Sequence, residues 1–163
     1  MGTDCKSALS GLWTVRQGKL DEILDAFYKV SSFASKYALK LKTKIDEAFF
    51  WSGRTEGIGG QHISLDIAIS KNGTTLENLI EKNKIPMPEW DSSNINTVKI
   101  WEEISKTYAN QVSGEIRAVI GKSLRKGNIW ENKELPALKN NLNVTKITTI
   151  DPKTKQEKII FKR

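Results

Sequence analysis

The spacing of apolar residues changes from helical to alternating along this chain of 163 residues. From Lys19 to about Lys44, apolar side chains recur at steps of three and four, which predicts one amphipathic helix or two helices broken near Ser31 and Ser32. Three later segments alternate β-forming residues instead: 115–120, 143–150 and 158–161. We therefore predict an α+β (α/β) fold in which a helical N-terminal half is followed by a small β-sheet.

Turn and capping residues divide the rest of the chain. A glycine-punctuated loop at 53–60 leads into a short apolar periodic segment, and residues 74–77 have the form of a helix start with a capping box. The prolines of the connector at 85–91 exclude a continuous helix, and helical spacing resumes over 97–113. Residues 151–155 predict a turn that pairs the last two strands antiparallel.

Composition excludes several classes of protein. No apolar run approaches the roughly 20 residues that span a bilayer, so no membrane span is predicted. With Cys5 and His62 as its only cysteine and histidine, the chain cannot build a zinc cluster, and we interpret Cys5 as an unremarkable thiol.

The net charge of +7 favours an anionic partner, whether RNA, an acidic protein or a phosphorylated small molecule. No RNA-reading motif accompanies the dispersed lysines.

The tryptophans indicate a site for a flat, charged ligand. Four of them stand beside a carboxylate or a predicted helix cap: Trp51, Trp90, Trp101 and Trp130. Their large faces can stack on a planar heteroaromatic cation, with carboxylates close by. Trp13 lies far from this group in sequence, and we predict that it serves packing.

Two glutamates are candidates for chemistry. Glu134 lies in a polar loop that follows the strand predicted at 115–120, which is the usual position of carboxylates in α/β active sites. The alternative is a surface glutamate that precedes a helix. Glu77 stands at the third position of the predicted capping box, where a backbone amide would satisfy its carboxylate. Spacing alone makes neither residue catalytic.

Four short motifs follow one another along the middle of the chain. They are Phe49-Phe50-Trp51-Ser52-Gly53, then Thr75-Leu76-Glu77, then Trp101 with Ser105 and Tyr108-Ala109, and then Trp130 with Glu134. Their order and spacing resemble the ADP-ribosyl cyclase and NAD glycohydrolase family from 49 to 150. The resemblance implies a small, mostly parallel β-sheet with flanking helices. It also implies one NAD-cleaving domain over 1–163, with a helical part at 1–48, the family-like core at 49–150 and a terminal strand at 151–163.

The resemblance implies which residues line the substrate pocket. By this likeness Trp51 and Trp101 line the pocket that receives nicotinamide and its ribose, and Ser52 belongs to the same motif as Trp51. Ser105 matches a serine that contacts the substrate near the ribose and the phosphates. NAD is then the substrate, and no cofactor is expected.

The resemblance also assigns the two glutamates. Glu134, four residues after the aromatic Trp130, matches the catalytic glutamate of the family. Glu77 matches the glutamate that contacts the nicotinamide carboxamide and influences whether the product is cyclised or hydrolysed. Arg54 and Arg125 are candidates for the pyrophosphate, chosen by their charge and their neighbours.

The chemistry and the composition together suggest a biological role. Nicotinamide leaves ribose as a neutral pyridine, so one carboxylate that stabilises an oxocarbenium-like transition state is enough, and no acid is needed. The basic, cysteine-poor chain shows no secretory signal at its N-terminus. We therefore expect a bacterial toxin domain that is released from a larger exported protein. It would deplete NAD in the cytosol of a target cell and be neutralised by an immunity protein.

Two other functions fit the sequence. One is a basic ribonuclease toxin, in which Lys or Tyr would have to replace the second histidine of a two-histidine mechanism. The other is a non-enzymatic module whose tryptophans stack on a partner. Nucleic acid is not the expected partner under the leading interpretation. The ratio of cyclase to hydrolase products, the choice of NAD or NADP and the oligomeric state stay open.

Overall fold

A computed structural model describes the backbone of residues 4–163 and the side chains from residue 16 onward. The interpretations of Cys5 and Trp13 lie outside the described side chains. The helices are α1 (Asp4–Tyr37), α2 (Gln61–Ser70), α3 (Leu76–Lys82), α4 (Ile95–Gln111) and α5 (Leu135–Asn140), with a 3-10 turn at Ala38–Leu41 and a π-helical turn at Trp130–Glu134. The strands are β1 (Ala48–Ser52), β2 (Arg54–Thr55), β3 (Ile58–Gly59), β4 (Thr74–Thr75), β5 (Gly114–Ile120), β6 (Val144–Ile150) and β7 (Glu157–Lys162).

The main sheet has the strand order β4-β1-β5-β6-β7. Neighbouring strands from β4 to β6 pair in parallel, and β7 pairs antiparallel with β6 across the turn predicted at 151–155. Helices connect the parallel strands, as parallel pairing requires. The predicted fold class, a mixed α/β chain with a small, mostly parallel sheet and flanking helices, is confirmed.

The first strand, β1, was not predicted as a strand. It lies between β4 and β5, and Ala48, Phe49 and Phe50 are buried. Because both faces of a central parallel strand are covered, its residues do not alternate between apolar and polar types. The short aromatic run that ends at Gly53 was therefore visible only as a motif.

The N-terminal helix is continuous, which agrees with the first of the two predicted alternatives. It passes through Ser31 and Ser32 and ends at Tyr37, before the predicted end near Lys44, and the Ser32 hydroxyl donates to the Lys29 carbonyl at 2.9 Å within the helix. Among the described side chains of this helix and the following 3-10 turn, Ala34 and Leu41 are buried in the core. Four apolar residues nearer the N-terminus are exposed: Leu20, Ile23, Leu24 and Phe27.

Two layers of side chains cover the sheet. On one face, Phe50, Ile116 and Ala118 pack with residues of the helices, including Tyr108 and Leu138, in the larger apolar cluster. The opposite face carries a smaller cluster of sheet residues and residues of α2: Phe49, Val119, Ile150, Ile67 and Ala68. None of the helices within residues 4–163 has a stretch long and apolar enough to cross a membrane.

The loop predicted at 53–60 forms a small antiparallel hairpin of β2 and β3. Arg54 stabilises it, because its Nη1 donates to the carbonyls of Gly57 and Gly59 at 3.2 and 3.0 Å. A second anchor is Thr55, whose hydroxyl donates to Asp151 at 2.7 Å and accepts from the Lys122 amide at 3.0 Å. The hairpin is thus fixed to the loop after β5.

Replacing Gly121 by alanine is expected to destabilise this junction. An added Cβ would lie 2.3 Å from the backbone N and C atoms of Arg54, so the hairpin and the loop would have to separate. Overpacking of this kind costs about 1–3 kcal/mol of unfolding free energy, which urea denaturation measures.

The matched control is Gly18→Ala, since no atom lies within 4 Å of a Cβ added at that exposed helical position. That variant should gain about 0.5–1 kcal/mol from helix propensity. Equal stability of Gly121→Ala and wild type would contradict the close contact.

Candidate active site

A pocket of about 610 Å³ lies where the parallel strands β4, β1 and β5 end. This edge of a parallel sheet is the usual ligand-binding edge, because loops and helix starts converge there. Every residue predicted for the site lines the pocket: Trp51, Ser52, Arg54, Glu77, Trp101, Ser105, Arg125, Trp130 and Glu134. Residues far apart in sequence therefore share one cavity, and their functional roles remain predictions.

Glu134 is buried at the inner wall, with 7% of its surface exposed. It ends a π-helical turn that leads directly into α5, so the polar loop predicted around it is wrong. The pKa of Glu134 is raised to about 8, mainly by burial and then by the negative charge of Glu77, while a hydrogen bond with Ser105 acts in the opposite direction. A single π turn within a helical segment is typical of functional sites.

Glu77 faces the same cavity from the first turn of α3. The N-cap of this helix is Thr75, whose hydroxyl accepts from the Asn78 amide at 3.4 Å, so Glu77 is not the third residue of a capping box. Its Oε2 is buried without a hydrogen-bond partner. Burial is the main cause that raises the pKa of Glu77, while its own backbone amide and the Trp51 side chain lower it.

The two carboxyl groups form an acidic centre without a cation. No lysine or arginine of the described residues makes a salt bridge with Glu77 or Glu134. Behind them, the fully buried Tyr108 hydroxyl lies 3.3 Å from the Thr74 carbonyl and 3.4 Å from the Phe49 carbonyl, the acceptors for its proton. Burial and then the charges of both glutamates raise the pKa of Tyr108, so it stays neutral. The centre is electrostatically suited to a cationic ligand.

Aromatic rings form much of the remaining wall. Trp51 and Trp101 are partly exposed toward the cavity, and the Trp101 indole N–H donates to the Pro88 carbonyl at 3.0 Å. Trp130 is only 3% exposed, and its ring lies 6.0 Å from that of Phe50. Trp130 therefore belongs to the core as well as to the pocket wall.

The two predicted arginines differ in their surroundings. Arg54 is held by the hairpin carbonyls described above. Arg125 is exposed on the loop after β5, with its guanidinium carbon 5.0 Å from the centre of the Trp90 ring. Of the two, Arg125 has the freer guanidinium, because its contact is a stacking one.

Sequence reasoning missed several residues of the pocket. They are Phe49, Phe50, Gly53, Gln61, Leu76, Ser123, Asn128 and Ile129. Asn128 is the most informative of these, since its side chain accepts from the Glu131 amide at 2.9 Å and donates to the Glu131 carboxylate at 2.7 Å. The Asn128 side chain thus caps the start of this helical segment, and an Asn followed three residues later by Glu is a helix-start signal that the sequence does contain.

No group of three or more His, Cys, Asp or Glu side chains able to hold a metal ion occurs among the described side chains. What the pocket offers a ligand is two carboxyl groups at the inner wall, flat indole faces around them and arginines nearer the surface. This arrangement suits a molecule that carries an aromatic cation at one end and anionic groups further along.

Comparison with known proteins supports the fold. No protein-family model and no curated protein matches the sequence. The chain is similar to the crystal structure of an ADP-ribosyl cyclase with a glutamate-to-alanine mutation, at a TM-score of 0.50 and 18% identity over 68% of this chain and 51% of the cyclase. It is also similar to an ADP ribosyl cyclase complexed with N1-cIDPR, at a TM-score of 0.50 and 20% identity over 74% of this chain and 55% of the cyclase.

The protein therefore spans about half the length of the cyclases that it matches. At this level of identity the likeness concerns the path of the chain and not its chemistry. The part of the chain that is matched nonetheless amounts to more than two thirds of this protein. This chain has the ADP-ribosyl cyclase-like fold.

Proposed function

We propose that this protein cleaves NAD at the N-glycosidic bond between nicotinamide and ribose. The observation that carries the proposal is the pair of carboxyl groups of Glu77 and Glu134 in a tryptophan-lined pocket, where neither makes a salt bridge with a described lysine or arginine. The nicotinamide of NAD is a flat aromatic cation, which such a pocket would bind in place of the missing counter-charge. The ADP-ribosyl cyclase-like fold agrees with this proposal, while the pocket residues carry it.

The pocket supplies what this reaction needs. As the bond from the ribose C1′ to the pyridine nitrogen breaks, the electron pair goes to the nitrogen and nicotinamide leaves neutral. The positive charge then develops on the ribose, where the ionised Glu134 carboxylate would stabilise it. Trp51 and Trp101 would hold the nicotinamide ring and exclude water from it.

The protonation state of Glu134 is linked to the substrate. In the protein alone its pKa is raised to about 8, mainly by burial, so much of it is protonated at neutral pH. A cationic ring nearby favours the ionised form, so binding of NAD would produce the charged carboxylate that the transition state requires. Ser105, which hydrogen-bonds to Glu134, would support that charged form.

The ribosyl cation has two possible acceptors. Attack by water with loss of a proton gives ADP-ribose, and attack by the adenine N1 with loss of a proton gives cyclic ADP-ribose. We propose that Glu77, at the inner wall, influences this choice through the position of the nicotinamide-ribose end. No cofactor takes part in either route.

The test is incubation of the purified protein with NAD, followed by chromatography of nicotinamide, ADP-ribose and cyclic ADP-ribose. We expect stoichiometric release of nicotinamide together with one or both ribosyl products. A parallel incubation with RNA should leave the RNA intact. Degraded RNA with unchanged NAD would instead support a ribonuclease, and bound NAD without nicotinamide release would support a binding module.

We further propose that the protein acts as a toxin in the cytosol of a target cell, after release from a larger exported protein, and that an immunity protein inhibits it. The basic, cysteine-poor composition motivates this role. Induced expression inside bacteria should lower cellular NAD and stop growth, while the Glu134→Gln variant should do neither. Growth arrest by that variant at normal NAD levels would argue against NAD depletion as the toxic activity.

A further inference from the structure

The mouth of the pocket is bordered by a tryptophan and an arginine from two separate segments. Trp90 lies on the connector between α3 and α4 and is 43% exposed, and Arg125 lies on the loop between β5 and the π-helical turn. The Arg125 guanidinium carbon stands 5.0 Å from the centre of the Trp90 ring. An exposed indole that lines the mouth of a pocket offers its flat face to a ligand.

Both segments are fixed close to these residues. The Trp101 indole binds the Pro88 carbonyl at 3.0 Å, which ties the connector to α4 two residues before Trp90. Asn128 binds the Arg125 carbonyl through its backbone amide at 3.1 Å and its side chain at 2.9 Å. The backbone on each side of the mouth is therefore preorganised, and the two side chains project from rigid supports.

The charges of the pocket are ordered from the inner wall to the mouth. Glu134 and the Oε2 atom of the half-buried Glu77 lie in the interior of the pocket, and Arg125 is exposed at the mouth. NAD has a matching order, with a cationic ring at one end, a pyrophosphate in the middle and adenine at the other end. A guanidinium binds phosphate oxygens through paired N–H groups, and an indole face stacks on a purine.

From this geometry we infer that Trp90 and Arg125 form the subsite for the adenylate half of the substrate, with Trp90 stacking on the adenine and Arg125 binding the pyrophosphate. The inference rests on the proposed cleavage of NAD and names a specificity residue, Trp90, that the four sequence motifs do not include. A pocket of about 610 Å³ supports it, since this volume exceeds what a nicotinamide-ribose end alone requires.

The experiment compares NAD with nicotinamide mononucleotide, which has the same scissile bond but no adenylate. For Trp90→Ala we expect kcat/KM for NAD to fall roughly 10-fold or more through KM, as lost base stacking predicts, with kcat/KM for nicotinamide mononucleotide unchanged. Trp90→Phe should restore most of the loss, since it keeps an aromatic face. Arg125→Gln should weaken cleavage of both phosphate-bearing substrates but not of nicotinamide riboside.

Inhibition provides a second measurement that does not depend on turnover of short substrates. The inhibition constant of AMP against NAD cleavage should rise in Trp90→Ala, while that of nicotinamide should stay at the wild-type value. Ile69→Ala is the control, because Ile69 is exposed on α2 away from the pocket lining.

Equal losses for NAD and nicotinamide mononucleotide, or wild-type kinetics of Trp90→Ala with NAD, would overturn the adenylate subsite. An unchanged inhibition constant of AMP would do so as well. If the wild-type protein releases no nicotinamide from NAD, the proposed function itself fails. The two failures are therefore distinguishable.

Discussion

Replacing Glu134 by glutamine is expected to reduce nicotinamide release from NAD by about 10³-fold or more, because the main negative charge beside the developing ribosyl cation is lost. The substitution keeps the size of the side chain and the contact with Ser105. Glutamine also resembles the protonated form of Glu134, which the raised pKa favours at neutral pH. The fold should thus remain intact, and initial rates at saturating and at low NAD would measure the loss in kcat and in kcat/KM.

The control for this variant is Glu81→Gln, which removes an exposed carboxylate from α3 outside the pocket. It should retain wild-type rates. If Glu134→Gln kept full activity while folded, Glu134 would not be the carboxylate that stabilises the transition state. A comparable loss in Glu81→Gln would indicate that net charge, not the site, causes the effect.

The second large effect concerns stability as a function of pH. The pKa of Glu134 is raised from 4.5 to about 8 in the folded protein, mainly by burial and then by the charge of Glu77. Below the pKa that Glu134 has in the unfolded protein, its carboxyl group is protonated in both the folded and the unfolded state. Between that pKa and the higher pKa of the folded protein, only the unfolded state has lost the proton. The unfolding free energy therefore falls as pH rises through this window, and the loss is complete above the folded pKa.

Glu134→Gln removes this dependence. Relative to wild type, the variant should gain roughly 3 to 5 kcal/mol of unfolding free energy between pH 4 and pH 9, with most of the gain above pH 5. Urea denaturation of both proteins at each pH measures the difference. Parallel pH profiles of variant and wild type would show that Glu134 is not held protonated by its surroundings.

The elements that could be predicted from sequence are those whose residue types recur with a clear period. The strands β5 and β6 alternate, α4 has a clear helical period, and the 151–155 turn joins the antiparallel pair. The central strand β1 carries no such pattern, because neighbouring strands and both apolar clusters cover it. In α1 the period was correct, but period alone does not reveal that Leu20, Ile23, Leu24 and Phe27 are exposed.

The residues of the site could be predicted from the sequence, but their arrangement in space could not. Motif order brought Trp51, Glu77 and Glu134 into one hypothesis, and the convergence of β4, β1 and β5 brings them into one pocket. The unpaired Oε2 of Glu77 and the raised pKa of Glu134 depend on burial, which spacing does not encode. For the same reason Glu77 had an equally good local explanation as a capping residue until the structure identified Thr75 as the N-cap.

The contact of Trp90 with Arg125 is another feature that sequence spacing alone does not predict. The two residues are far apart in sequence and lie on irregular segments, where neither helical nor strand periodicity applies. The sequence indicated a stacking role for Trp90 and a phosphate role for Arg125 separately. Their juxtaposition at the mouth of the pocket is a tertiary feature, and it is what turns two separate residues into one proposed subsite.

Proton NMR of NAD incubated with a catalytic amount of the protein tests the central claim most directly, because the resonances of the nicotinamide ring and of the ribose C1′ proton report the state of the scissile bond. We predict that the signals of the nicotinamide ring in intact NAD disappear and that those of free nicotinamide appear in equal amount, together with the signals of a new ribosyl product. An unchanged spectrum after prolonged incubation with folded protein, in excess over NAD, would contradict the claim.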